Sequence, residues 1–86
     1  MTTDIKFNKT GSLRYVAELT PDTPTVVQVK RLDKGYFTVY GSIGDMEPVS
    51  VFNTTILQNL IFQIDVPAGV KITMESETEV IEAKTL

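Results

Sequence analysis

The fold of this chain is decided by residues 25–40, which read TVVQVKRLDKGYFTVY. The first half of this stretch is rich in Val and Thr, and Tyr36 to Tyr40 consists of aromatic and β-branched residues, which are typical of strands. Between them lies Asp33-Lys34-Gly35, which is typical of a three-residue hairpin loop that ends on a left-handed glycine. The sequence therefore predicts an antiparallel hairpin with Gly35 at positive φ.

Short alternating segments recur on both sides of this predicted hairpin. They predict further strands over residues 13–19, 49–52, 60–66, 70–74 and 79–84. Two prolines break the chain at 20–24, and Pro67-Ala68-Gly69 is a candidate type II turn. Residues 54–66 fit both a helical stripe and a strand, and we interpret them as a turn of helix or a loop over 54–58 followed by a strand.

The length of 86 residues corresponds to one domain with one hydrophobic core. Residues 1–12 combine a short alternation with the loop signal Asn8-Lys9-Thr10-Gly11-Ser12, and they predict an N-terminal arm or edge strand. Residues 13–86 form the single β domain. The predicted fold is all-β, a small β-sandwich or jelly-roll-like barrel of six to eight short antiparallel strands.

The chain has no cysteine and no histidine, which excludes disulfides, thiolate metal sites, the usual zinc ligand and the usual general base. Its serines and carboxylates show no catalytic spacing, so we predict that it is not an enzyme and has no cofactor. Alternate residues Glu75, Glu77 and Glu79 could attract calcium, but they lack the Asp, Asn and Gly of dedicated loops. We interpret them as a solvated acidic hairpin and predict no metal site.

Cations and aromatic residues lie close together in the predicted hairpin. Lys30 and Arg31 precede Tyr36 and Tyr40, and these four residues with Tyr15 are our candidates for contact with a partner or ligand. Cations beside rings are also typical of nucleic-acid surfaces. The sequence pI near 4.7 argues against that use, and period two requires one set of rings to face the core.

Partners are predicted from stability and charge. A domain of this size with no disulfide or metal often gains stability from association, so we expect a homo-oligomer or docking on other structural proteins. The net charge is about +2 over residues 1–43 and −5 over residues 44–86, which could orient copies head to tail. The apolar segments are too short and polar to cross a membrane, and no signal peptide is apparent, so we expect a cytoplasmic location unless the protein is viral.

Residues 65–74, DVPAGVKITM, resemble a turn-and-strand segment of small β-sandwich modules in viral and carbohydrate-binding proteins. The general character of the chain is similar to the head-decoration and head-fibre proteins of tailed bacteriophages. That resemblance implies a structural subunit of a virion, a decoration or fibre-base protein, and transfers no functional residue. The alternative is a small glycan-binding sandwich that uses Tyr15, Tyr36 or Tyr40 as a stacking platform.

Overall fold

The computed structural model describes residues 2–22 and 24–86, and these residues form nine strands and no helix. Met1 and Thr23, which belong to the predicted arm and the predicted break at 20–24, lie outside the described residues. The strands are β1 (Thr3–Asp4), β2 (Asn8–Gly11), β3 (Arg14–Leu19), β4 (Thr25–Arg31), β5 (Phe37–Ser42), β6 (Val49–Thr54), β7 (Leu60–Ile64), β8 (Lys71–Ser76) and β9 (Val80–Thr85).

The strands form two antiparallel sheets that face each other. The smaller sheet has the order β1-β9-β4-β7 and the larger has the order β2-β3-β8-β5-β6. The prediction of a small all-β sandwich is confirmed. The described strands outnumber the predicted six to eight because residues 1–12 contribute two, β1 at the edge of the smaller sheet and β2 at the edge of the larger. The expected loop from Asn8 is therefore strand β2.

The core follows from period-two alternation, which sends every second side chain between the sheets. Ala17 of β3, Phe37 and Val39 of β5, and Ile72 and Met74 of β8 are buried in the larger sheet. The smaller sheet contributes Val27, Val29, Leu60, Ile64 and Ala83. Phe37 and Val39 thus face the core, while the tyrosines at 36 and 40 lie on the opposite face.

The predicted hairpin between β4 and β5 is wrong. β4 pairs with β7 and β9 in the smaller sheet, whereas β5 pairs with β6 and β8 in the larger one. Residues 32–36 therefore cross from one sheet to the other. Gly35 has a positive φ of 159°, which L residues rarely adopt, but this value is far from the left-handed φ of about 57° that a three-residue hairpin requires. Glycine is favoured there by this φ and by crowding, because an added Cβ would lie 2.7 Å from Glu77 Oε1 and 3.1 Å from both Glu77 Cβ and Thr78 Cγ2.

The predictions for residues 54–66 and for the turn at Gly69 agree with the structure. Residues 55–59 form a loop without helix, followed by β7 at Leu60, as one of the two interpretations of this segment required. Gly69 has a φ of 93°, and the Val70 amide donates to the Pro67 carbonyl at 3.3 Å, so a turn with glycine at positive φ is confirmed.

Candidate functional site

The two lateral sides of the sandwich are closed differently. On one side the sheets end in β1 and β2, and residues 5–7 cross between them with Ile5 and Phe7 packed against the core. On the other side the sheets end in β6 and β7, which the 55–59 loop joins at one end. We call this second side the open side and include in it β6, β7, the 55–59 loop and the 43–48 loop beside them.

The open side carries exposed apolar side chains on an unprotected edge. In β6 the exposed fraction is 65% for Val49, 52% for Val51 and 37% for Phe52. Neighbouring loops add Ile43, Met46, Ile56 and Leu57. Residues 48–64 contain no charged residue. Edge strands usually carry charges that prevent pairing with another chain, so this side has the properties of an interaction surface.

A β-bulge in β6 gathers the apolar side chains on the inner face of the strand. Val39 pairs with Phe52 and the next residue of β5, Tyr40, pairs with Ser50, so Val51 is the extra residue. Val51 and Phe52 therefore point to the same face. The Phe52 ring stacks on Phe62 of β7 with centroids 5.4 Å apart, which joins the two edge strands.

Two apolar grooves open on this side. One has a volume of about 220 Å³ and is lined chiefly by Ile43, Met46, Val49, Val51, Val66 and Val70. The other, of about 400 Å³, lies between β6 and β7 beside Phe52 and Phe62. The first groove is bordered by Glu47 as its one acidic lining residue. The first groove suits apolar side chains better than polar ligands, whereas the second has Gln63 and Asp65 in its wall beside the apolar residues.

Arg31, a candidate contact residue, lies inside the protein with 1% of its surface exposed. Its Nε donates to the Gln58 carbonyl at 2.9 Å. One terminal nitrogen donates to the Tyr36 carbonyl at 3.0 Å and to Ser76 Oγ at 3.2 Å, and the other donates to the carbonyls of Gly35, at 3.0 Å, and Leu57. All five N–H groups of the guanidinium are thus satisfied within the protein, so Arg31 is not a surface contact residue.

The physical cause of this arrangement is the crossing at 32–36. The guanidinium binds carbonyls from that crossing and from the 55–59 loop, and it lies 5.5 Å from the centre of the Phe37 ring. Burial lowers the pKa of Arg31, and the Glu77 carboxylate acts in the opposite direction. Among the described residues, every buried side-chain nitrogen or oxygen has a hydrogen-bond partner.

The other candidate residues are dispersed. Tyr36 and Tyr40 lie half-buried on the outer face of the larger sheet. Tyr15 shares the inward parity of Ala17, with the Lys9 ammonium 5.9 Å from its ring centre. Lys30 is exposed on β4 of the smaller sheet. The structure therefore brings Tyr36 and Tyr40 to one face and separates them from the rest.

Tyr36 is held by the sheet around it. Its hydroxyl lies 3.0 Å from Glu75 Oε1 and 3.1 Å from the Leu13 carbonyl oxygen, and Glu75 also pairs with Arg14 at 3.2 Å. Burial, followed by the hydrogen bond to Glu75, raises the pKa of Tyr36. The ring is thus a fixed part of the sheet surface, with its polar atom already engaged.

The structure offers no metal centre within residues 2–22 and 24–86, because no group of three or more acidic side chains converges there. In that same part of the chain, no helix is long and apolar enough to cross a membrane. Comparison of this chain with protein families, with curated proteins and with solved structures finds no match.

Proposed function

We propose that this protein is a non-enzymatic structural subunit that associates with further copies of itself through the open side. The observation that carries this proposal is the charge-free segment 48–64. It supplies β6 and β7, the two edge strands of the open side, and leaves Val49, Val51 and Phe52 exposed. An edge of this kind is costly to leave in water and ready to pair with another strand. Association of two copies covers it without any further component.

The dimensions of the molecule fit this role. The chain measures 31 × 31 × 21 Å, so a lateral side of 31 by 21 Å has an area of roughly 650 Å². Stable protein interfaces bury about 800 Å² on each partner, with a lower bound near 600 Å². The open side is therefore large enough for a stable contact, and a second copy presents the same apolar composition.

More specifically, we propose that the protein is a decoration or fibre-base subunit of a virion. Its support is the resemblance of residues 65–74 and of the small all-β character to phage structural proteins. Small subunits of such assemblies act by covering and joining other proteins, which is the role that the open side suits.

Sedimentation analysis across protein concentration tests the proposal with a matched pair of variants. Val49→Lys places a charge on the open side, and Ile81→Lys places the same charge on β9, where Ile81 is 61% exposed against 65% for Val49. We expect association at micromolar concentration for the wild type and Ile81→Lys, and at least about tenfold weaker association for Val49→Lys, because an interfacial lysine must be desolvated.

The salt dependence adds a second readout. Contacts between apolar side chains do not weaken as salt screens charges, so the association constant should hold or rise with ionic strength. Circular dichroism must show that both variants keep the β-sheet spectrum. A wild-type protein that stays monomeric at high micromolar concentration, or equal association of the two variants, would refute the proposal.

A further inference from the structure

We propose that two copies join by antiparallel pairing of β6 with β6 of the second copy about a twofold axis, with Val49 opposite the second copy's Thr54. This inference rests on the proposed function and specifies its geometry. It makes one continuous sheet of ten strands from the two five-stranded sheets. The register that we assign follows from the bulge in β6.

The bulge gives β6 a face pattern that reads the same in both directions. Val49 pairs with the buried Gly41 and Thr54 with the buried Phe37, so both have inward parity. Ser50 and Asn53 pair with Tyr40 and Thr38 of the outer face. Val51 and Phe52 both point inward because of the bulge. From 49 to 54 the pattern is thus in, out, in, in, out, in.

Only a register centred between Val51 and Phe52 aligns all six residues of this pattern with their own reverse, whereas registers centred on Ser50 or Asn53 match faces over three residues only. There Val49 faces Thr54, Ser50 faces Asn53 and Val51 faces Phe52, each inward residue opposite an inward one. Moving the centre by half a residue sets Ser50 opposite Phe52, or Val51 opposite Asn53, and places apolar side chains against polar ones. Because register in a sheet is fixed by matching faces, the bulge selects the first arrangement.

The ends of β6 are complementary under the same symmetry. The 220 Å³ groove lies at the Val49 end, with Met46 in its wall. The exposed side chains of Ile56 and Leu57 lie just beyond the Thr54 end. Antiparallel pairing places the Thr54 end of each copy, with Ile56 and Leu57 beyond it, beside the Val49 end of the other copy, where the groove lies. The twofold axis therefore brings an apolar projection to an apolar groove at both ends.

Charge allows this pairing. Residues 48–64 contain no ionisable side chain, so symmetric pairing of β6 sets no like charges opposite each other. Glu47 lies at the rim of the groove and is exposed to water. The open side, roughly 650 Å² in area, sets the upper limit of the contact on each copy, and that limit lies within the range of stable interfaces.

Disulfide trapping tests the register directly, because the chain has no cysteine of its own. Ser50→Cys and Asn53→Cys are made as separate single variants, both at exposed positions on the outer face. Residues directly opposite in an antiparallel pair have Cα atoms about 4.5–5.5 Å apart, within disulfide range. In this register, position 50 of one copy lies about 10 Å along the strand from position 50 of the other, because three residues separate positions 50 and 53. The same holds for position 53, so a single variant cannot form the disulfide.

We expect a covalent dimer on mild oxidation of the mixed variants and little or none from either variant alone. Ser50→Cys mixed with Glu18→Cys, an exposed position on β3, is the collision control and should not cross-link. Cross-linking of either single variant alone would show a different register and overturn the inference. A sedimenting dimer that the mixture does not trap would overturn the pairing while leaving the proposed function standing. A monomer would overturn both.

Discussion

Replacing Arg31 with methionine should destabilise the protein more than any other single change at a cation. Methionine keeps most of the apolar stem but removes all five donors of the guanidinium. It leaves four backbone carbonyls, those of Gly35, Tyr36, Leu57 and Gln58, without this partner. These acceptors join β4 to the 32–36 crossing and to the 55–59 loop, so the loss affects three segments at once.

The magnitude follows from the number of bonds. At roughly 0.5–1.5 kcal/mol net for each hydrogen bond, five lost bonds amount to about 3–7 kcal/mol. The loops can relax and admit water, so we expect the lower part of that range, about 3–5 kcal/mol. A domain of this kind has a total stability of about 5–15 kcal/mol. Arg31→Lys should recover little, because an ammonium lacks the planar fork that reaches carbonyls on two sides.

Urea unfolding followed by circular dichroism measures this change, with the free energy taken by linear extrapolation. Lys30→Met is the matched control, since Lys30 is the preceding residue of the same strand and is exposed. We expect that control to change stability by less than about 0.5 kcal/mol. If Arg31→Met lost no more stability than Lys30→Met, the guanidinium would not be what holds the two loops.

Two further predictions concern Gly35 and Tyr36. Gly35→Ala should cost about 1–3 kcal/mol in urea unfolding, because the added Cβ would crowd Glu77 and Thr78 at a φ that L residues rarely adopt. Gly11→Ala, whose Cβ would have its nearest neighbour at 3.6 Å, should be close to neutral, and equal effects would contradict both grounds. Tyr36 has a raised pKa, so above pH 10, its ordinary value, the unfolded chain loses this proton first and stability should fall as pH rises. Below that pH the contribution is fully present. Tyr36→Phe should flatten the alkaline decline, and an unchanged slope would show that Glu75 and burial do not hold the proton.

The faces of the strands could be predicted from the sequence because alternation is a local property. The parity of Ala17, and of Phe37 against Tyr36, follows from period two alone, and the structure has the same parity. The turn at Gly69 was also predictable, since its proline and glycine act within four residues. Local chemistry therefore yielded the fold class and the residues that share a face of a strand, while the choice of which face is buried came from the structure.

The sheet to which each strand belongs could not be predicted in this way. Asp33-Lys34-Gly35 fits a hairpin, but the same few residues also fit a crossing between sheets. The difference lies in the distant strands with which β4 and β5 pair, and the Arg31 side chain then binds carbonyls of the crossing and of a loop some 27 residues away. A contact of that sequence separation has no local signal, so the local reading favoured the wrong connection.

Only one of the two properties of the open side could be predicted from the sequence. The absence of charge from 48 to 64 can be read directly, but the same composition also fits buried strands. Only the sheet order shows that β6 and β7 are edges, which turns an apolar segment into an exposed surface. The candidate residues that we chose from the sequence, which are cations and tyrosines, therefore lie outside the open side.

Arg31 nevertheless has a connection with the open side, through the loop that it holds. Its guanidinium binds two carbonyls of the 55–59 loop, its amide donates to Asn59 Oδ1 at 3.1 Å, and Gln58 Nε2 donates to its carbonyl at 3.0 Å. The same loop presents Ile56 to solvent. A loop fixed in this way loses little conformational entropy when it docks, so the buried cation prepares the surface that we assign to association. Arg31, which we predicted from the sequence to be a contact residue, is thus buried and supports the loop that belongs to the proposed contact surface.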